Sequence, residues 1–200
     1  METIDDLVLV GLSQRPAPVA VRERYALQPE DAPGLLRQLV GDGGIDEAVV
    51  VSTCNRTEAL ALGGDGTESI ARLKAALFRN IDAAHLYEFR GLQAVMHLFR
   101  VTSGLDSLVL GETEILGQVK RAFELARGAG AAGQVLSPLF TQALVVGKRA
   151  RKETAIGEGS LSVARVGLDV AARALGRYEG RTATVIGAGD TGLQIGRAHV

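Results

Sequence analysis

Ser52-Thr53-Cys54-Asn55-Arg56-Thr57-Glu58 holds the one cysteine of the chain, set directly after the apolar run Ala48-Val49-Val50-Val51. A strand that ends in a small polar turn delivers its last side chains to a sheet edge, where a thiol can meet a substrate, and the neighbouring Arg56 is expected to favour the thiolate. This is the layout of a nucleophile. A lone cysteine can also fill a strand end as a small apolar residue. Thr53, Asn55, Arg56 and Glu58 weigh against that reading, because packing needs none of them, whereas a charged acyl substrate needs donors, a cation and a polar rim.

Three further groups of residues could do chemistry. Gly187, Gly189 and Gly192 form G-x-G-x-x-G, with Ala188, Asp190 and Thr191 between them, after a strand-like run at 181–186. Such glycines let backbone N–H groups approach a pyrophosphate, although an ordinary strand-to-helix turn can carry the same spacing. His97 sits off the stripe Leu92, Val95, Met96 and Phe99, which leaves it either a cleft-facing functional residue or plain surface. The segment from Gly104 to Gln118 is dense in polar groups: Glu114, Gln118 and Arg121 share one helical side, with Ser107 and Glu112 in the bend before it. A capped, solvated helix face produces that spacing too.

The elements that must position these residues follow from periodicity and turn chemistry. Strands are expected at 7–11, 45–53, 58–62 and 85–90, and helices at 19–26, 29–40 and 67–78, the last capped by Thr67. Strands interleaved with helices over the first ninety residues imply a compact α/β sandwich whose sheet is covered on one face. After Gly91 the pattern is helical, with a second apolar stripe at Ile115, Val119, Ala122, Phe123 and Ala126, a helix at 137–153, and one from a Ser160 cap to Leu175.

Bulk composition narrows the function classes. With 200 residues, 46% hydrophobic content and a net charge of −1, the chain can bury a core and presents no global field for nucleic acid, so any RNA contact must come from a local patch. Lys148, Arg149, Arg151 and Lys152 form either such a patch or a solvated face. A single free cysteine, an acidic N-terminus without an apolar signal core, and no apolar run near the ~18 residues of a membrane span predict a cytoplasmic protein.

Taken together, Ser-Thr-Cys-Asn-Arg-Thr-Glu at 52–58, the run from His97 to Phe123 around Gly-Leu-Asp-Ser-Leu-Val-Leu-Gly-Glu, and Gly-Ala-Gly at 187–189 resemble glutamyl-tRNA reductase, in the family's order and over essentially the whole chain. The resemblance implies NADPH-dependent reduction of glutamyl-tRNA to glutamate-1-semialdehyde through a cysteinyl thioester, the first step of five-carbon tetrapyrrole (porphyrin) synthesis. By position it makes Cys54 the nucleophile and His97 a residue important for activity. Thr53, Asn55, Arg56, Ser107, Glu112, Thr113, Glu114 and Gln118 become substrate-binding, with Arg56 meeting the glutamyl carboxylate. Gly187, Ala188, Gly189, Asp190, Thr191 and Gly192 become the NADPH site. It further implies a catalytic domain at 1–155, a helical connector at 156–180 drawn from the helical run that begins near 134, and a truncated Rossmann-type domain from 181 to 200. Partners implied are glutamyl-tRNA, glutamate-1-semialdehyde aminotransferase and a second copy of the chain, with the family's dimerisation domain absent. Ile195 to Val200 match one frame of a sequencing adaptor, so those six residues are expected to be non-native. Two alternatives stand beside this: another NADP-dependent dehydrogenase, resembling shikimate dehydrogenase, and a non-catalytic module that binds tRNA or a partner.

Overall fold

A computed structural model describes residues 4–41, 44–157 and 163–176, with 182, 184 and 186. The glycine-rich turn at 187–192, the Ser160 cap, residues 181, 183 and 185 of the expected strand, and residues 195–200 lie outside the described residues.

Four strands, β1 (Leu7–Ser13), β2 (Glu47–Ser52), β3 (Arg56–Leu62) and β4 (Tyr87–Arg90), form one antiparallel sheet in the order β2-β3-β1-β4. The apolar runs of β1 and β3 occupy the two central places, and every residue in both is buried. Continuous rather than alternating hydrophobicity marks a strand covered on both faces, so the sheet carries packing on two sides and not one. On one side lie α2 (Ala32–Gly41) and α3 (Gly66–Leu77). The other side carries α4 (Leu92–Thr102), α5 (Glu114–Gly128) and α6 (Leu136–Glu153), with α5 also closing the β2 edge. A short α1 (Val19–Arg22) follows β1, and α7 (Val163–Leu175) comes last.

Several boundaries shift for local reasons. The cap of α3 is Asp65 rather than Thr67, because its carboxylate accepts from Thr67 N at 2.8 Å and Glu68 N at 3.4 Å. The helix expected at 19–26 stops at Arg22 and tightens to a 3-10 turn over Glu23–Tyr25. The first part of the helical run that begins near 134 packs into the core: Leu136, Phe140, Ala143 and Gly147 of α6 are buried, and Phe140 stacks on Phe123 of α5 at 5.4 Å.

The α4 stripe is rotated from the expected one. Leu92 and Met96 are 62% and 57% exposed, while Ala94, His97, Leu98 and Val101 are buried. This helix is apolar on most sides, so two stripes at helical spacing compete. The inward one accepts a histidine because a carboxylate waits beneath it.

Candidate active site

Side chains alternate along a strand, and β3 uses that alternation to place Arg56 and Glu58 at the polar end of the face that continues inward as Leu60 and Leu62. Register sets Ser13 opposite Arg56 and Gly11 opposite Glu58 on β1, and Tyr87 of β4 opposite Gly11. Gly11 matters here. A Cβ at that position would stand 2.6 Å from Glu58 Cγ and 3.1 Å from the Tyr87 ring, so only glycine lets Tyr87 reach across β1 to Glu58.

Glu58 is thus a hub. Its carboxylate accepts from Arg56 Nη1 at 2.7 Å, from His97 Nε2 at 2.8 Å and from the Tyr87 hydroxyl. Burial alone would raise its pKa, but the Arg56 charge and the His97 and Tyr87 hydrogen bonds overcome it and hold the group at about 2. An ionised carboxylate only accepts, so His97 carries its proton on Nε2, and a neutral ring offers Nδ1 as an acceptor. Burial and the Glu58 charge push the Tyr87 hydroxyl well above its ordinary value.

Arg56 differs from expectation. Its guanidinium is spent within the protein: besides Glu58, Nη2 donates to Asp106 O at 2.6 Å and Asp106 Oδ2 at 3.3 Å, and the residue is 2% exposed. Asp106 carries this pairing to the Gly104–Gln118 segment, and Arg15 on the surface meets its other oxygen at 3.1 Å. A substrate carboxylate does not face a free Arg56 here. Arg22 is a cation whose charge lowers the Cys54 thiol pKa, less strongly than burial raises it.

Cys54 is exposed at the apex of the β2–β3 turn. Thr53 builds that turn, its Oγ1 accepting from Asn55 N at 3.1 Å and Arg56 N at 3.2 Å, while Thr53 N donates to Arg56 O at 2.8 Å. Partial burial raises the Cys54 thiol pKa, as do the charges of Glu112 and then Glu114, against a lowering by Arg22. Two segments more than fifty residues apart in sequence are therefore electrostatic neighbours.

The second segment is shaped by two glycines. Gly104 and Gly111 have φ of 78° and 77°, and Gly111 N donates to Gly104 O at 3.0 Å, closing the loop between them. The closed loop is pinned from α6. Arg151 donates to Thr102 O at 3.0 Å and Glu112 O at 3.0 Å, and Gly111 lies so close to Ile156 O that no Cβ would fit. Arg151 is accordingly not a free phosphate contact. Burial lowers its pKa, while the charge of Glu112 raises it.

Ser107 Oγ is buried with no hydrogen-bond partner among the described residues. Thr113 and Glu114 are exposed at the start of α5, and Gln118 lines a cavity of about 670 Å³ between α2 and α5 with Ser52, Arg37 and Arg121. A second cavity of about 660 Å³ lies across the sheet end, lined by Ser13, Arg15, Tyr87, Phe89, His97 and Asp106 among others. His97 thus faces a cleft, as one of its two readings had it, yet from a 9% exposed position packed on Phe89 at 4.9 Å. Glu58, Tyr87, Asp106 and Arg22 are the members of this site that sequence reasoning did not assign. Glu58 carried a signal in its place in the cysteine string, and Asp106 in its place in the Gly104–Gln118 segment.

Comparison with known proteins bears on this arrangement. The family model described as Glutamyl-tRNAGlu reductase, N-terminal domain, matches residues 10–154. Glutamyl-tRNA reductase of Thermus thermophilus is 47% identical over 184 residues, covering 92% of this chain and 45% of that protein. Its counterpart in Deinococcus radiodurans is 44% identical over 186 residues, covering 93% of this chain and 52% of that protein. The solved glutamyl-tRNA reductase from Methanopyrus kandleri superposes with a TM-score of 0.73 at 35% identity, covering 97% of this chain and 46% of that one. The chain spans about half the length of the curated relatives it matches. With the cysteine turn and the Gly104–Gln118 segment both inside the matched region, the chain belongs to the glutamyl-tRNA reductase family.

Proposed function

We propose that this chain carries the acyl-transfer site of a glutamyl-tRNA reductase, the first enzyme of tetrapyrrole synthesis by the five-carbon route, with Cys54 as nucleophile. The observation that carries this reading is the exposed thiol at a turn apex with Glu112 and Glu114 acting on it. Sulfur attacks the ester carbon, an S–C bond replaces the C–O bond, and the ribose oxygen of the tRNA leaves with the thiol's proton. Ester and thioester differ little in energy for this exchange, and a thioester is far easier to reduce.

The chain's own groups divide the remaining work. The α-ammonium of the glutamyl group suits Glu112 and Glu114, and its arrival would offset the charges that keep the thiol protonated. Thr53 holds the turn, Ser107 Oγ offers an unspent hydroxyl, and Asn55, Thr113 and Gln118 complete the assigned substrate contacts. Glu58 orients His97, which lines the cleft at the sheet end. Bound NADPH would supply the two electrons that take the acyl group to the aldehyde, and the residues assigned to it, 187–192, lie outside the described residues. The domain division at 155 and 180, the aminotransferase partner, the homodimer and the cytoplasmic location are proposed on the same footing. Among the described residues no helix is long and apolar enough to cross a membrane.

Mass spectrometry after mixing with glutamyl-tRNA tests the reading. A glutamyl adduct on Cys54 is expected, and Cys54→Ser should lose it while keeping its fold, because the swap is nearly isosteric and a hydroxyl lacks the thiolate's reactivity. An undiminished adduct in that variant would remove Cys54 from its role, and tRNA binding without any adduct would make the chain a binding module.

A further inference from the structure

We infer that Arg22 is a further active-site residue, a positioning residue that ties the catalytic turn to the loop after β1 and sets a positive charge beside Cys54. The inference rests on Cys54 being the nucleophile. Arg22 is the last residue of α1, and its Nη1 donates to Ala17 O at 2.7 Å, which fixes the guanidinium against the buried Ala17. From there Nε reaches the carbonyl of Cys54 itself, in a long contact of 3.4 Å. One planar fork thus spans two backbone segments 37 residues apart, between Ala17 and Cys54. Nothing in the cysteine string can replace it, since Arg56 points into the protein and is paired there.

Burial raises the thiol most, and a backbone hydrogen bond acts against it more strongly than Arg22 does. Glu112 from the bend before α5 and Glu114 from its first turn act to keep the thiol protonated, and Arg22 from α1 acts against them. Without Arg22 the nucleophile would face two carboxylates and only the partial charges of the backbone. A point charge from lysine could supply part of the field, but an ammonium cannot bridge two carbonyls in the plane of a guanidinium.

Alkylation of Cys54 by iodoacetamide, followed from neutral to alkaline pH, reads the thiol without any tRNA, and the single cysteine makes the signal unambiguous. Arg22→Gln is expected to slow alkylation near neutral pH about three- to tenfold and to move the midpoint upward. Arg22→Lys should restore part of the midpoint, Glu112→Gln should move it down, and Arg24→Gln, at an exposed position two residues on, should leave it unchanged. A thermal melt confirms the fold. Arg22→Met, which keeps the apolar stem, stands in if Arg22→Gln does not fold. An unchanged midpoint in the neutral variant overturns the inference, and so does a lysine variant as slow as the glutamine one. Because alkylation and glutamyl transfer are separate readouts, Arg22 can fail its test while Cys54 passes, and the reverse.

Discussion

Arg56 donates to a carboxylate, a second carboxylate and a carbonyl without reaching solvent, so its replacement is felt as a broken buried network. Arg56→Lys should cost roughly 2–3 kcal/mol of stability, because one ammonium cannot serve Glu58 and Asp106 together, and chemical denaturation measures it. Unchanged stability would show that the Glu58 and Asp106 pairings carry little. His97→Ala strips Glu58 of a donor and opens space beside Phe89, so we expect a stability loss of roughly 2–4 kcal/mol in addition to slower chemistry. His97→Asn can keep a donor to Glu58, and should recover part of the stability while remaining slow. Equal melting of all three forms would show that the hydrogen bond carries little.

At the level of elements, α6 begins where a strand residue caps it electrostatically. Glu47 of β2 is buried and accepts from Gly133 N at 2.9 Å, Val135 N at 2.9 Å and Leu136 N at 2.7 Å, supplying a cap that the local sequence lacks. Glu47→Ala leaves three backbone donors without their acceptor, that of Leu136 buried, and should cost roughly 1–3 kcal/mol, whereas Glu47→Gln keeps one acceptor oxygen and should cost less; thermal melts separate the two. This cap also shows where legibility in sequence stopped. Apolar runs and turn residues located β1, β2, β3 and the Cys54 turn to within a few residues, because those signals are local. The Glu47 cap and the Arg56–Asp106 pair join residues 86 and 50 apart, and a charge in a strand announces no partner at that distance. The α4 stripe failed for a different reason. Leu92, Val95, Met96 and Phe99 fit helical spacing as well as Ala94, Leu98 and Val101 do; Val95 and Phe99 still pack against the core while Leu92 and Met96 are exposed, and His97 turns inward to the carboxylate of Glu58.

For the molecule as a whole, the Glu58 hub sets a pH limit. Its folded pKa of about 2 lies below the ordinary carboxylate value, so its contribution to stability is fully present above the unfolded pKa and is lost as pH falls toward 2. Roughly 3 kcal/mol is involved, and it should vanish between about pH 4.5 and 2. Glu58→Gln should flatten that acid limb in urea titrations, and an unchanged limb would place the acid sensitivity elsewhere. The Arg151 clamp carries a consequence of another kind. One guanidinium holds the carbonyls of Thr102 and Glu112 from the last turns of α6, and Ile156 sits hard against Gly111. The bend that bears Glu112 is therefore tethered from the end of α6, by Arg151 and by Ile156. A change in the last turns of α6 would accordingly move that bend without touching the cysteine turn itself.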